Sequence, residues 1–271
     1  MGGVTVTDAP SAQWVPQDGA GRLAETAQGK CFTSDLSVDE FILVRESGFV
    51  PLGLVMGTSM YHLGLQYAGW KQSVELTTLS QAMYAARELA IERMVAEAVQ
   101  LSADGIVGVD LRRVGYVGAG EVLEFLAVGT AVRFEKAPGS LRAPSGKPFS
   151  SDLSGRDFFK LLRYGWAPTG LVMGSCVYHI AHQSIRQTLR QAGQNVEIPQ
   201  YTQAIYSARE LAMKRMQDEG ERDGAAGIVG VRVEENNQVW GEHGVEFFAM
   251  GTGVRSVAAT TTSTLPLVVP V

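Results

Sequence analysis

The sequence predicts an α+β fold built twice: two homologous units in tandem, each a small sheet covered on one face by a long helix and preceded by a short one. Three observations carry this. The chain repeats itself, since "FTSDLSVDEFILVRESGFVPLGLVMGTSMYHLG" from Phe32 is answered 117 residues on by "FSSDLSGRDFFKLLRYGWAPTGLVMGSCVYHIA" from Phe149. The match resumes at an offset of 122, where "YAARELAIERM" from Tyr84 answers "YSARELAMKRM" from Tyr206, so the second copy has gained five residues between His179 and Tyr206. Within each copy, hydrophobic periodicity changes in the same order, from helical to extended, to helical, to extended twice.

Each element has its own signal. Asp35 or Ser37 can cap a short helix bearing Val38, Phe41 and Ile42, and Gly48 stands where that helix ends; Gly165 holds the same place in copy two. A strand follows in the near-continuous apolar runs "PLGLVMG" and "PTGLVMG". Leu79 to Leu101 is rich in Ala, Glu and Arg, and Met83, Ala86, Ala90, Met94 and Ala98 form a small-residue stripe that lets a helix lie close to a sheet. "GIVGVDLRRV" and "EVLEFLAVGTAVRF" flank the turn "GYVGAGE", Gly115 to Glu121, and read as an antiparallel hairpin rather than a phosphate-binding loop, because a strand follows it. Gly108 and Gly230 lie inside strands, where a missing side chain permits close approach of a helix or a bulge. The divisions are a disordered tail at 1–30, unit 1 at 31–135, a Pro/Gly/Ser-rich linker at 136–147, unit 2 at 148–257 and a second tail at 258–271. A three-stranded sheet leaves edges and a face that need a partner, so association within and between chains is expected.

Composition narrows the function. A hydrophobic content of 45% with 19% charged residues suits a chain that buries a core, and a net charge of −5 without a basic run argues against nucleic acid. Two cysteines make no disulfide framework, and no window resembles a membrane span or secretory leader, so the expected compartment is the cytoplasm.

Cys176, His179 and His182 pose the one metal question. Read as a helix from Cys176 to Ala192, Val177, Ala181, Ile185 and Leu189 fall on one side, with His179, Gln183, Arg186 and Arg190 on the other. Cys176 and His182 would then stand about 9 Å apart along the axis, too far to share one ion. The arginines would repel a cation. Copy one has Ser59 and Leu65 at those places and keeps only His62 opposite His179. The candidate metal ligands are therefore Cys176, His179 and His62, for a soft divalent ion completed by another subunit; no cofactor is required. Glu88 and Glu92, with Arg87 and Arg93, read as solvated or contact charges on the long helix, and Glu242 and His243 as loop residues. No nucleophile elbow, His-Glu-x-x-His, Cys-x-x-Cys or Walker loop occurs, so an enzyme is not expected.

"GLVMG", the Ala/Glu/Arg helix running into "ADGIVGV", and "EFLAVGTAVR" together resemble the YbjQ-like family, whose label is "putative heavy-metal-binding". The resemblance covers Pro51 to Phe134 and Pro168 to Arg255. It implies dodecin-like β-α-β-β units and rings of five subunits, and it implies metal without a transferable ligand set. For a tandem chain the expectation is five chains, each copy ringing with its equivalents. The expected function is a non-enzymatic, ring-forming assembly or interaction protein that meets a protein partner through its tails or loops. The alternative is a metal or small-ligand binder with sites at subunit junctions, and a hydrolase or redox enzyme at those junctions is a third.

Overall fold

The computed structural model describes residues 15–29, 31–62, 73–115, 122–179, 199–237 and 244–257. In unit 1, α2 (Val38–Glu46) leads into β1 (Phe49–His62), then α3 (Thr77–Gln100), β3 (Gly105–Gly115) and β4 (Val122–Phe134). Unit 2 repeats the order with α4 (Gly155–Arg163), β6 (Trp166–His179), α5 (Pro199–Arg222), β7 (Gly227–Asn237) and β8 (Gly244–Ser256). Two short strands, β2 (Val74–Glu75) and β5 (Phe149–Ser150), and a helix α1 (Gln17–Ala27) complete the described chain. In each unit the last strand is central, paired antiparallel on both sides, in the orders β1-β4-β3 and β6-β8-β7.

The local signals act as their chemistry requires. Ser37 caps α2 in a reciprocal capping box with Glu40, while Gly48 and Gly165 take φ of +84° and +79° just beyond their helices. Gly108 and Gly230, at φ of +70° and +67°, form β-bulges that shift the register of β3 and β7 against their central strands. Met83, Ala86, Ala90, Met94 and Ala98 are all buried in the main core. The helix lies so close that a Cβ on Gly57 would stand 2.1 Å from the Ala90 carbonyl oxygen.

The two units exchange their edges. β2, from unit 1, adds to β6 of unit 2, and β5, from unit 2, adds in parallel to β3 of unit 1. Backbone bonds extend the second exchange, with Phe149 N donating to Asp104 O, Ser151 N to Ile106 O, Gly108 N to Leu153 O and Val109 N to Ser151 O. Each three-stranded sheet thus gains a fourth strand from the other unit, which is how the association foreseen from thin sheets is met within the chain.

Two readings of the sequence need correction. Residues 17–27 are helical rather than a disordered tail, anchored by Leu23, which is buried in the main core. The 136–147 linker is mostly exposed and is tethered where Asp104 accepts from Gly139 N at 2.8 Å and from Arg142 Nε at 3.1 Å. Cys176–His179 ends a strand, not a helix, because Val177 and His179 are committed to ladders with β8 and β2. The turn Gly115 to Glu121 beyond its first residue, His182, Glu242, His243 and the 258–271 tail lie outside the described residues.

Candidate functional site

On a strand, successive side chains point to opposite faces, so Cys176 and His179, three apart, face opposite sides of the sheet. Cys176 points into the core of unit 2, among Val172, Ala208, Ala212 and Phe247. Burial, aided by the Glu75 carboxylate, pushes its thiol up to about 12. It is held as a thiol, whereas a metal ligand must be a thiolate. His179 pairs its backbone with Val74 of unit 1 and Gly244 of unit 2, and His62 holds the corresponding end of β1 opposite Val122. Cys176 and His179 are thus set on opposite faces of one strand, and among the described residues no cluster of three or more His, Cys, Asp or Glu side chains could hold a metal ion.

What the structure does build is the junction between units. Arg87, from α3 of unit 1, is buried with its Nη1 2.7 Å from Oε1 of Glu246 on β8 of unit 2, an acid that is itself fully buried. Its guanidinium carbon lies 4.8 Å from the Phe125 ring centre and 3.9 Å from that of Phe248, one ring from each unit. Arg113 of unit 1 reaches the other oxygen of Glu246 at 3.3 Å. From the opposite direction Arg215 of unit 2 forks onto Glu75 of unit 1 at 2.6 and 3.1 Å. Glu219 of α5 accepts from Met173 N at 2.9 Å and from the Tyr84 hydroxyl, and burial raises its carboxyl to about 7. Burial raises the Tyr84 phenol as well. Arg87 and Glu246 are desolvated charges, while Arg113 and Arg215 keep 29% and 33% of their side chains exposed, a buried ion pair flanked by partly exposed ones as at the centre of a specific interface.

The residues that do this were visible only as helix charges. Arg87 was singled out beside Glu88, but its partner lies 159 positions away in the other copy, and no local pattern announces such a pair.

The junction has two unfilled counterparts. Val107 on β3 is 0% exposed, clustered with Phe149 of β5 and Phe158 of α4, whereas Val229, its equivalent on β7, is 36% exposed. Phe149, which covers β3, is 1% exposed; Phe32, its equivalent in unit 1, is 40% exposed. Fold and junction together define a tandem of self-complementary α+β units, joined by strand exchange and open at both ends.

The chain belongs to the YbjQ-like family: a family model described as "Putative heavy-metal-binding" matches residues 52–135 and 167–257. It is 55% identical over 241 residues, covering 89% of this chain and 92% of the relative, to a Mycobacterium tuberculosis protein named "Encapsulin nanocompartment protein Rv1762c". Single-unit relatives match as well, among them a UPF0145 protein of Pseudothermotoga lettingae, 36% identical over 31% of this chain and 83% of the relative. A UPF0145 protein of Methanococcus maripaludis is 44% identical over 22% of this chain and 51% of the relative. No helix among the described residues is long and apolar enough to cross a membrane.

Proposed function

We infer that this chain is a non-enzymatic structural protein that assembles with copies of itself into a closed ring or shell enclosing a compartment. The observation that carries the reading is the uncovered β7. Its exposed Val229 and its edge repeat the Val107 and the edge that β5 and α4 cover on β3, and the segment equivalent to β5, beginning at Phe32, pairs with no strand among the described residues. Seating Phe32 to Leu36 of one copy on β7 of the next would repeat the internal junction, with Ser34 N donating to Ile228 O and Gly230 N to Leu36 O. Such a contact is heterologous, so it closes into a ring or shell when its rotation permits and otherwise extends. The name of the Mycobacterium tuberculosis relative, a nanocompartment protein, supports closure.

Five chains joined in this way would contribute ten units to one series in which unlike units alternate, instead of each copy ringing with its equivalents. The Asp35–Thr130 hydrogen bond and its unit 2 counterpart, Thr252 to Asp152 at 2.6 Å, tether each edge segment to its own sheet and so present it to a neighbour.

Native mass spectrometry and electron microscopy of the untagged protein test the reading. The expected result is a discrete multi-chain species, reduced to single chains by Val229→Asp. A chain that stays single at micromolar concentration overturns it. Elemental analysis of the same sample decides the expectation of a soft divalent metal ion.

A further inference from the structure

The two units carry the same groove with different occupants. In unit 2 the groove runs between α5 and the face of β6, lined by Met173, Ser175 and Arg215, with Glu219 alongside. The N-terminal half of α3 from unit 1 covers it: Tyr84 bonds to Glu219, Ser80 Oγ accepts from Val177 N at 2.9 Å, and Leu79 and Met83 share one buried cluster with Met173 and Val177. Met173 and Val177 are accordingly 2% and 0% exposed.

In unit 1 the equivalent residues are Met56, Thr58, Arg93 and Glu97, and here the occupant is α1. Arg22 donates to Glu97 Oε2 at 2.7 Å and to Leu54 O at 2.6 Å, and Gly19 passes so close that a Cβ there would lie 3.1 Å from Glu97 Oε1. The cover is less complete than in unit 2. Cavities of similar size, about 440 Å³ beside α1 and about 480 Å³ beside α3, remain in both grooves, but Met56 and Met60 are 37% and 57% exposed where Met173 and Val177 are buried. Meanwhile α5 displays the complement, since Tyr206, the equivalent of Tyr84, is 59% exposed, and the Arg209 side chain, the equivalent of Arg87, is 43% exposed.

We propose that the unit 1 groove is the docking site for the N-terminal half of α5 from a second copy of this chain, and that α1 is a resident occupant which must leave before that copy can dock. The proposal rests on the assembly reading above. Tyr206 replaces Arg22 as donor to Glu97, Tyr201 and Ile205 cover Met56 and Met60 as Leu79 and Met83 cover Met173 and Val177, and Arg209 reaches Glu124 as Arg87 reaches Glu246. Both occupants use Glu97 and lie over Met56, so they exclude each other. Because α1 is tethered to its own unit, it competes at a high effective concentration, and assembly begins only at protein concentrations that overcome it.

The test locks and unlocks α1 in the full-length chain. A Cβ on Gly53 would lie 3.2 Å from Thr26 Cγ2, which brings Thr26→Cys and Gly53→Cys within disulfide reach in a Cys31→Ser background. The oxidised protein is expected to remain as single chains by native mass spectrometry, and reductant is expected to restore assembly. In the opposite sense, Arg22→Glu, which sets two carboxylates together, should lower the concentration for half-assembly by roughly tenfold, a shift of about 1.4 kcal/mol. Adding Tyr206→Ala should reverse that gain. Equal assembly of the oxidised and reduced forms would overturn the proposal while leaving self-assembly intact. Single chains in every form, wild type included, would overturn both, and thiols that fail to join under oxidant would contradict the seating of α1.

Discussion

Replacing Arg87 by Met tests whether the junction between units is held by its buried charges. The substitution keeps the stem between Phe125 and Phe248 but removes the cation 2.7 Å from Glu246, an acid with no side-chain exposure. Arg113 at 3.3 Å, Asn236 at 3.4 Å and Ser175 at 3.3 Å remain as partners, and only the first is charged. Breaking a buried pair from one side typically costs about 3–5 kcal/mol, because the remaining charge is left without its partner. At roughly 2–4 °C per kcal/mol for a chain of this size, the melting temperature should fall by about 6–20 °C. Adding Glu246→Gln should recover part of the loss, since the orphaned charge is then gone. Arg209→Met is the internal control. Its partner Glu235 is at 3.0 Å with both side chains about a third or more exposed, so the isolated chain should lose less than about 1 kcal/mol. Thermal melts of the three variants against wild type decide it. Equal losses at Arg87 and Arg209, or no recovery on adding Glu246→Gln, would refute the claim that desolvated charge at the junction governs its stability.

Three further outcomes follow from geometry on the same elements. Gly174→Ala sets a Cβ 1.9 Å from the Ala212 carbonyl oxygen, a clash that only backbone movement relieves, so a loss of at least about 1–3 kcal/mol is expected in urea melts, whereas Gly170→Ala, with nothing within 4 Å, should be near neutral. Iodoacetamide at pH 8 should label exposed Cys31 in the folded chain and reach Cys176 only after denaturation; rapid double labelling would contradict the burial that raises its thiol to about 12. Glu219, at about 7 when folded and near 4.5 when unfolded, binds its proton more tightly in the native state. Its contribution is therefore present below pH 4.5 and lost as the pH rises through 7. Glu219→Gln should flatten that decline and leave the protein more stable than wild type at pH 8; melting curves parallel to wild type from pH 4.5 to 8 would count against it.

How far the sequence could be read depended on whether each element's partner lay in the same copy. The capping box at Ser37, the C-terminal glycines and the small-residue stripe of α3 act within one helix or between one helix and its own sheet, and all were legible. The strand at Cys176 was misread as helix because it is covered on both faces: Cys176 faces the core of unit 2 while Val177 joins the cluster containing α3 of unit 1, and a doubly covered strand loses the alternation that identifies it. β2 and β5 are two residues long and exist only through pairing with the other unit, so no periodicity could reveal them. α1 escaped notice because its stripe has one strong anchor, Leu23, in a run of Gly, Ala and Gln.

Apart from α1, these failures share a cause, and it bears on function. Everything else hidden belongs to the exchange between copies, and that exchange is where the two copies differ in their surroundings rather than in their own folds. Val107 and Val229, or Met173 and Met56, are the same residue at the same point of the same fold, buried in one unit and open in the other. Intrinsic propensity cannot distinguish them; only the presence of a neighbour can. A tandem chain with one junction formed and two half-junctions open has the arrangement needed to add further copies without evolving a new surface. A helix seated over one of those half-junctions is then the natural place to control when addition begins.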